Sequence, residues 1–265
     1  MAGYPCIESV EKEKAVHHQA DHELANKGKQ RRHFFRASIA FLGVSVLHAS
    51  GATTPKETGL SFEGLLKDKP GFQPRRPAPL PVKEIPDFLS SQQLRGHYKV
   101  YRDVFEELLT AEQALRVASR DAAHAEAYAV LRERQVRAAN AVLLHELYFR
   151  NLAVHPVEPP RFVLANISEH MGTMATWRED FRAGARVAGE WVTLVYDPYD
   201  DRWHNLPLAD SNAGVMIGTN PLVVCDVAEH AWSHDYGDRE SYIERFLEHV
   251  DWTTVAKRYR AVDRH

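Results

Sequence analysis

The stretch from Ala122 to Leu152 contains neither proline nor glycine and is rich in alanine, arginine, glutamate and leucine. This composition, with apolar residues at helical spacing, favours one long helix. A second apolar stripe follows Ser90 and Ser91, either of which is suited to cap a helix from Gln92 to Leu109. Two long helices joined by a short polar segment predict a helical hairpin.

After Phe162 the pattern changes to shorter elements. One more helix is predicted from Glu169 to Arg186, and two closing helices follow at about Arg239–His249 and Trp252–Tyr259. Before the closing helices, three strands are predicted: Trp191–Tyr196, the returning strand Trp203–Leu208 after a turn at 197–201, and a buried strand at Pro221–Cys225. The predicted fold class is therefore α+β, an N-terminal helical hairpin domain followed by a small antiparallel three-stranded sheet with helices.

The charge balance excludes one broad class of function. Lysine and arginine number 33 against 36 aspartates and glutamates, which gives a formal net charge of −3. A nucleic-acid-binding chain needs a basic excess, so no nucleic-acid partner is expected. The two cysteines, Cys6 and Cys225, permit at most one disulfide, so the chain is not a disulfide scaffold.

Residues 1–52 have the organisation of an export signal. The paired arginines Arg31 and Arg32 precede two aromatic residues, an apolar run from Ala37 to Leu47, and small residues from Ala49. The run is shorter than the roughly 20 apolar residues that span a membrane. The pattern resembles the twin-arginine signal, which delivers folded protein to the periplasm through the twin-arginine translocation machinery. An amphipathic N-terminal helix or an uncleaved membrane anchor is the alternative interpretation.

Amino-acid composition predicts the remaining domain boundaries. Residues 53–87 end in a proline-rich run that favours extended structure, and we interpret them as a tether. The helical hairpin domain is predicted over residues 88–158 and the α/β C-terminal domain over 159–265. After cleavage of the signal, no stable membrane insertion is expected.

Phosphate-binding glycine loops, a CxxC pair and a GxSxG motif are all missing from the sequence, which gives no support to nucleotide binding or to serine-hydrolase chemistry. The most informative segment begins at Asp226, directly after a predicted buried strand, and places His230 four residues later. A carboxylate and an imidazole at this separation can meet on one cation if the chain turns there. Mixed nitrogen and oxygen ligands suit Fe, Mn or Zn.

This segment, DVAEHAW over Asp226–Trp232, resembles the DxWEHAY signature of the iron/manganese superoxide dismutase family. Other similarities follow in the family's order. They are the LSxxxxxHY-like helix from Leu89, the HxxxWxxL-like helix from His145, Phe181 with Trp191, and the SNAG letters at Ser211–Gly214. The resemblance extends from about residue 78 to residue 259.

The resemblance implies a metal site and a reaction. By position, the ligands of one Fe or Mn ion per subunit are His97, His145, Asp226 and His230. Tyr101, Trp191 and Glu229 fall at positions that assist catalysis or support the ligands. The implied substrate is superoxide, which is converted to oxygen and hydrogen peroxide. The implied assembly is a homodimer, in which Glu229 of one subunit reaches His230 of the other.

The surroundings of the ligands depart from the family pattern. Tyr101 and Phe105 stand where the family has histidine and tyrosine, and Tyr101 is expected to substitute only in part. Four further positions lack the family's tryptophan, tryptophan, tyrosine and glutamine, and they are Ala228, Phe149, Ser233 and Ala141. Groups that deliver protons and tune the metal's potential are thus mostly replaced, which predicts slow turnover.

Two alternatives follow from these departures. The chain could be a different metal-dependent redox enzyme on the same scaffold, with a pocket widened at Ala228, or a metal-binding dimer with little dismutase activity. Five other histidines match no ligand position and are predicted to lie at the surface, namely His124, His155, His170, His204 and His249.

Overall fold

The structure is a computed structural model that describes residues 76–262. The predicted export signal and the tether as far as residue 75 lie outside the described residues. The described residues all belong to one compact unit. Within them, no helix is both long enough and apolar enough to cross a bilayer. The domain boundaries and the export signal stay predictions.

Two long helices form the predicted hairpin. Helix α1 covers Ser91–Val117, and the Ser90 side chain caps it by accepting the N–H of Gln93. It continues past the predicted end because Ala111 and Leu115 extend its buried face. Helix α2 covers Ala125–Arg150 after a short 3-10 turn at Ala122–His124.

The helix predicted from Glu169 to Arg186 is two helices, so that prediction was wrong. Helix α3, Arg161–Met171, ends at Gly172, whose φ of 86° is a left-handed conformation that glycine adopts without strain. Helix α4, Met174–Val187, begins with a capping box between Thr173 and Thr176. The glycine and the capping threonine together make the break.

Three antiparallel strands form the sheet, as predicted: β1 (Trp191–Asp197), β2 (Arg202–Leu208) and β3 (Asn220–Asp226). Strand β1 is central and buried along its whole length, with β2 and β3 on either side. In this register Trp191, at the start of β1, lies opposite Asp226, at the end of β3. The α+β fold class is therefore confirmed.

The chain closes with a 3-10 turn at Glu229–Ala231, helix α5 (Arg239–Glu248) and helix α6 (Trp252–Val262). Aromatic side chains fill the core between helices and sheet, and Phe181 and Phe246 stack with ring centroids 6.3 Å apart. One predicted surface residue lies in this interior. His249 is only 4 % exposed, stacks on Phe88 at 4.9 Å and hydrogen-bonds the carbonyl of Ala153.

The end of the predicted tether is packed on the hairpin. The N–H of Ala78 donates to Tyr101 Oη at 2.8 Å, and Tyr98 Oη donates to the Ala78 carbonyl at 3.0 Å. Ile85 is 1 % exposed and pairs with Leu89 through backbone hydrogen bonds. Ordered contacts therefore begin before the predicted boundary at residue 88.

Candidate metal centre

Four side chains from four elements converge between the helical hairpin and the sheet. His97 lies on α1, His145 near the end of α2, Asp226 at the end of β3, and His230 in the 3-10 turn that follows. One nitrogen or oxygen atom of each lies within 4.8 Å of the others. The turn after β3 brings His230 back over Asp226.

Asp226 is the centre of this group. Its Oδ2 atom lies 2.9 Å from His97 Nε2, 2.9 Å from His230 Nε2 and 3.8 Å from His145 Nε2. Its other oxygen, Oδ1, accepts the backbone N–H of Ala228 at 2.9 Å. The carboxylate is thus oriented by its own turn, with Oδ2 directed at the three imidazoles.

Hydrogen bonding fixes the tautomer of His145. Its Nδ1 lies 2.7 Å from the carbonyl oxygen of Ala141, which can only accept, so Nδ1 carries the proton. Its Nε2 is buried, has no hydrogen-bond partner and faces the group. A buried lone pair of this kind suits a bound cation, whereas an unpaired polar atom would destabilise the fold.

Burial and mutual charge set the protonation states. Burial lowers the pKa of His145 to about 3, with a smaller contribution from His97, and burial also lowers the pKa of His97. Although burial alone would raise it, the pKa of Asp226 lies well below its usual range because His230 and His97 hydrogen-bond the carboxylate. Burial also acts to lower the pKa of His230, but hydrogen bonding and charge from Asp226 raise it above its ordinary value, so a cation at this site would have to displace a proton from His230. Neutral imidazoles and an ionised carboxylate are the forms that bind a metal.

The donor set therefore fits a metal ion. Three imidazole nitrogens and one carboxylate oxygen suit Fe, Mn or Zn, and the set carries one negative charge to offset a cation. Aromatic rings enclose it: Tyr148 and Phe149 lie 4.8 and 5.0 Å from the His97 ring, and Trp191 meets His145 edge-on at 4.9 Å.

Comparison of the sequence with known proteins gives the family. Residues 159–258 match the model of the C-terminal domain of iron/manganese superoxide dismutases. A protein named as a manganese superoxide dismutase from Haloferax volcanii is 28 % identical over 185 residues, which cover 69 % of this chain and 93 % of the relative. One named as an iron superoxide dismutase from Cupriavidus metallidurans is 30 % identical over 138 residues, which cover 51 % of this chain and 69 % of the relative.

This chain belongs to the iron/manganese superoxide dismutase family. Relatives named for each metal agree with the prediction of Fe or Mn as cofactor. A third similar protein, from Haloarcula marismortui, is also named as a manganese superoxide dismutase; it is 29 % identical over 185 residues, which cover 69 % of this chain and 91 % of that relative. The resemblance read from the motifs is therefore confirmed at the level of the family.

The three predicted supporting residues occupy different settings in this superoxide dismutase fold. Trp191 is buried beside His145. Tyr101 is also buried, and its hydroxyl donates to Glu146 Oε1 at 2.8 Å. Glu229 is exposed on the single chain, which leaves its predicted contact with a second subunit as a prediction.

Three supporting groups were not predicted to act at the site. Glu146 directly follows His145 and receives the Tyr101 hydroxyl. Gln93 is buried on α1 and hydrogen-bonds the turn that carries His230. Glu190 directly precedes Trp191 and accepts hydrogen bonds from Ser211, which the motifs had marked only as part of a turn. Glu146 and Glu190 each adjoin a predicted site residue, and this adjacency was the available signal.

Proposed function

We propose that this chain is a superoxide dismutase that binds one Fe or Mn ion through His97, His145, Asp226 and His230. The observation that carries the proposal is the buried convergence of these four side chains in a chain of this family. The reaction converts two superoxide anions and two protons into one molecule of oxygen and one of hydrogen peroxide. A bound Fe or Mn ion would supply the one-electron chemistry of this reaction.

The protein supplies the setting for that chemistry. Asp226 provides the negative charge that offsets the cation, and its Oδ1 contact with the Ala228 N–H keeps Oδ2 directed inward. The Ala141 carbonyl holds His145 with Nε2 facing the site. The aromatic rings around His97 exclude bulk water from the side of the helical hairpin.

The first test is metal content together with dismutase rate on the purified mature protein. We expect about one Fe or Mn per wild-type subunit and loss of most of the metal in His145→Ala and Asp226→Ala, since each variant removes a ligand. Both variants should also unfold at lower temperature, because bound metal stabilises the native state. His155→Ala, an exposed histidine, is the matched control. Full metal occupancy in the ligand variants would refute the assignment.

A metal-binding dimer with little turnover is the second candidate. The altered surroundings favour this candidate. Phe105 lacks the hydroxyl of the family's tyrosine, and Ala228 lacks the bulk of the family's tryptophan. The same assay separates the two functions, since a metal-binding dimer would retain the metal but show little dismutase activity.

We further propose export through the twin-arginine machinery and action in the periplasm. The support is the sequence pattern at Arg31 and Arg32, with the apolar run that follows. Because Cu and Zn outcompete Fe and Mn at mixed nitrogen and oxygen sites, folding before export would protect the choice of metal. Replacing both arginines by lysine should leave metal-loaded precursor in the cytosol. Metal-free precursor in the cytosol would argue against loading before export.

A further inference from the structure

A hydrogen-bonded chain of three residues adjoins the metal centre on the side of the sheet. The indole Nε1–H of Trp191 donates to Ser211 Oγ at 3.1 Å, while the ring of Trp191 meets His145 edge-on at 4.9 Å and 81°. Trp191 is 1 % exposed and Ser211 is 4 % exposed. The hydroxyl of Ser211 is therefore the buried polar partner of the tryptophan that packs on a ligand.

Glu190 holds Ser211 in turn. One oxygen, Oε2, accepts both the Ser211 hydroxyl at 3.2 Å and the Ser211 backbone N–H at 3.1 Å. The direction of each hydrogen bond in this series is fixed, because an indole can only donate and a carboxylate can only accept. The sequence of donors runs from Trp191 through Ser211 and ends on the negative charge of Glu190.

The backbone of Glu190 also contacts the segment that carries Asp226. Its backbone carbonyl accepts the N–H of Val227 at 2.7 Å, which places Glu190 beside the residue that follows Asp226. Its side chain reaches the centre by a second route, through Ser211 and Trp191 to the ring of His145.

We propose that Glu190 and Ser211 are positioning residues of the metal centre, which fix Trp191 against His145 and hold a carboxylate just outside the ligands. The inference rests on the proposed function. The trivalent ion carries one more positive charge than the divalent ion, so a nearby negative charge stabilises the oxidised state. The family resemblance implies a glutamine close to the metal, either at the position of Ala141 or in the segment Ser211–Gly214. This chain has no glutamine at either place.

The test uses metal-loaded protein and compares Glu190→Gln with wild type. Glutamine keeps the shape and an accepting oxygen but removes the charge. At a fixed ambient potential, we expect the ratio of oxidised to reduced metal to fall about tenfold, the order of effect of one unit charge in a protein interior. Glu179→Gln, an exposed glutamate of α4, removes the same charge elsewhere and should leave the ratio unchanged. An unchanged ratio in Glu190→Gln, or an equal fall in Glu179→Gln, would overturn the assignment of charge.

A second measurement tests the positioning of Trp191 and does not depend on turnover. The indole N–H band of Trp191 in ultraviolet resonance Raman spectra, isolated by subtracting Trp191→Phe, reports its hydrogen bond. Ser211→Ala should shift this band to that of an unbonded indole, and Ser211→Thr, which keeps a hydroxyl, should restore it. An unshifted band in Ser211→Ala overturns the positioning role. A wild-type protein that takes up no metal refutes the proposed function instead, and the Raman comparison still decides whether Ser211 holds Trp191.

Discussion

The histidines of the candidate centre are oriented in different ways. The Nδ1–H of His145 is held by the Ala141 carbonyl, so this ring is oriented before any cation arrives. His97 differs, because its Nδ1 is buried and has no hydrogen-bond partner. Its orientation depends instead on Asp226 and on the rings of Tyr148 and Phe149. His97 is therefore oriented by a single hydrogen bond, to Asp226, and by aromatic packing.

Phe105 provides a prediction at the same scale. It is buried, with its ring 6.2 Å from that of Tyr101, at a position where the family resemblance places a tyrosine. Loss of a positioned proton donor typically lowers a rate by about 10²–10⁴. We expect Phe105→Tyr to raise the dismutase rate per bound metal in part, and the triple variant with Tyr101→His and Ser233→Tyr to raise it further.

The control for that comparison is Phe162→Tyr, which adds the same hydroxyl on α3, beside Arg260. It should leave the rate unchanged. A wild-type rate that already reaches the diffusion ceiling of about 10⁹ M⁻¹s⁻¹ would show that the missing hydroxyl does not matter.

At the scale of elements, the start of α1 is tied to the turn that carries His230. The Gln93 amide donates to the His230 carbonyl at 2.7 Å and accepts the N–H of His234 at 2.9 Å. The backbone N–H and hydroxyl of Ser90 both donate to the carboxylate of Asp235, at 2.6 and 2.7 Å. These contacts fix how the helix with His97 meets the turn with His230.

Gln93→Ala should therefore weaken both the fold and the site. It leaves a carbonyl and an N–H of the turn without their partner, which costs about 1–3 kcal/mol if they stay buried. We expect a lower free energy of unfolding in urea and faster loss of metal to a chelator. Gln92→Ala changes the same residue type on the exposed side of α1 and should have little effect. Equal behaviour of the two variants would contradict this role for Gln93.

Local sequence patterns predicted the secondary-structure elements better than they predicted the contacts between residues distant in sequence. The strands and most helix bounds followed from periodicity, because it depends on nearby residues. The break at Gly172 was missed because one glycine within a helical pattern is compatible with a continuous helix. His249 was misplaced since its stacking partner, Phe88, is distant in sequence. The candidate ligands came from motif order, whereas the contact between Glu190 and Ser211 depends on how β1 and the loop after β2 pack.

At the scale of the whole molecule, the candidate metal site joins two parts of the chain. The hairpin contributes His97 and His145, and the part with the sheet contributes Asp226 and His230. A second copy of the chain is the expected neighbour of Glu229, which is exposed on the single chain. By the family resemblance, Tyr101 and Ser233 stand where relatives have a pair that crosses the expected interface, so Glu229 is the predicted contact that remains.

Light scattering tests this assembly. We expect a wild-type dimer and a shift towards monomer, with weaker retention of metal, in Glu229→Ala. Glu169→Ala, an exposed glutamate of α3, is the control and should stay dimeric. A wild-type monomer with full metal would show that the site is complete without a partner.

The separation of the candidate ligands along the chain has a consequence for the order of events in the cell. His97 and Asp226 are 129 residues apart. At a synthesis rate of about 5–20 residues per second, Asp226 is made roughly 6 to 26 seconds after His97. During that interval the nascent chain contains His97 without Asp226, so the candidate site is not yet formed. Which metal is bound is therefore decided after the chain has folded, and it depends on the free metal concentrations of the compartment where folding is completed.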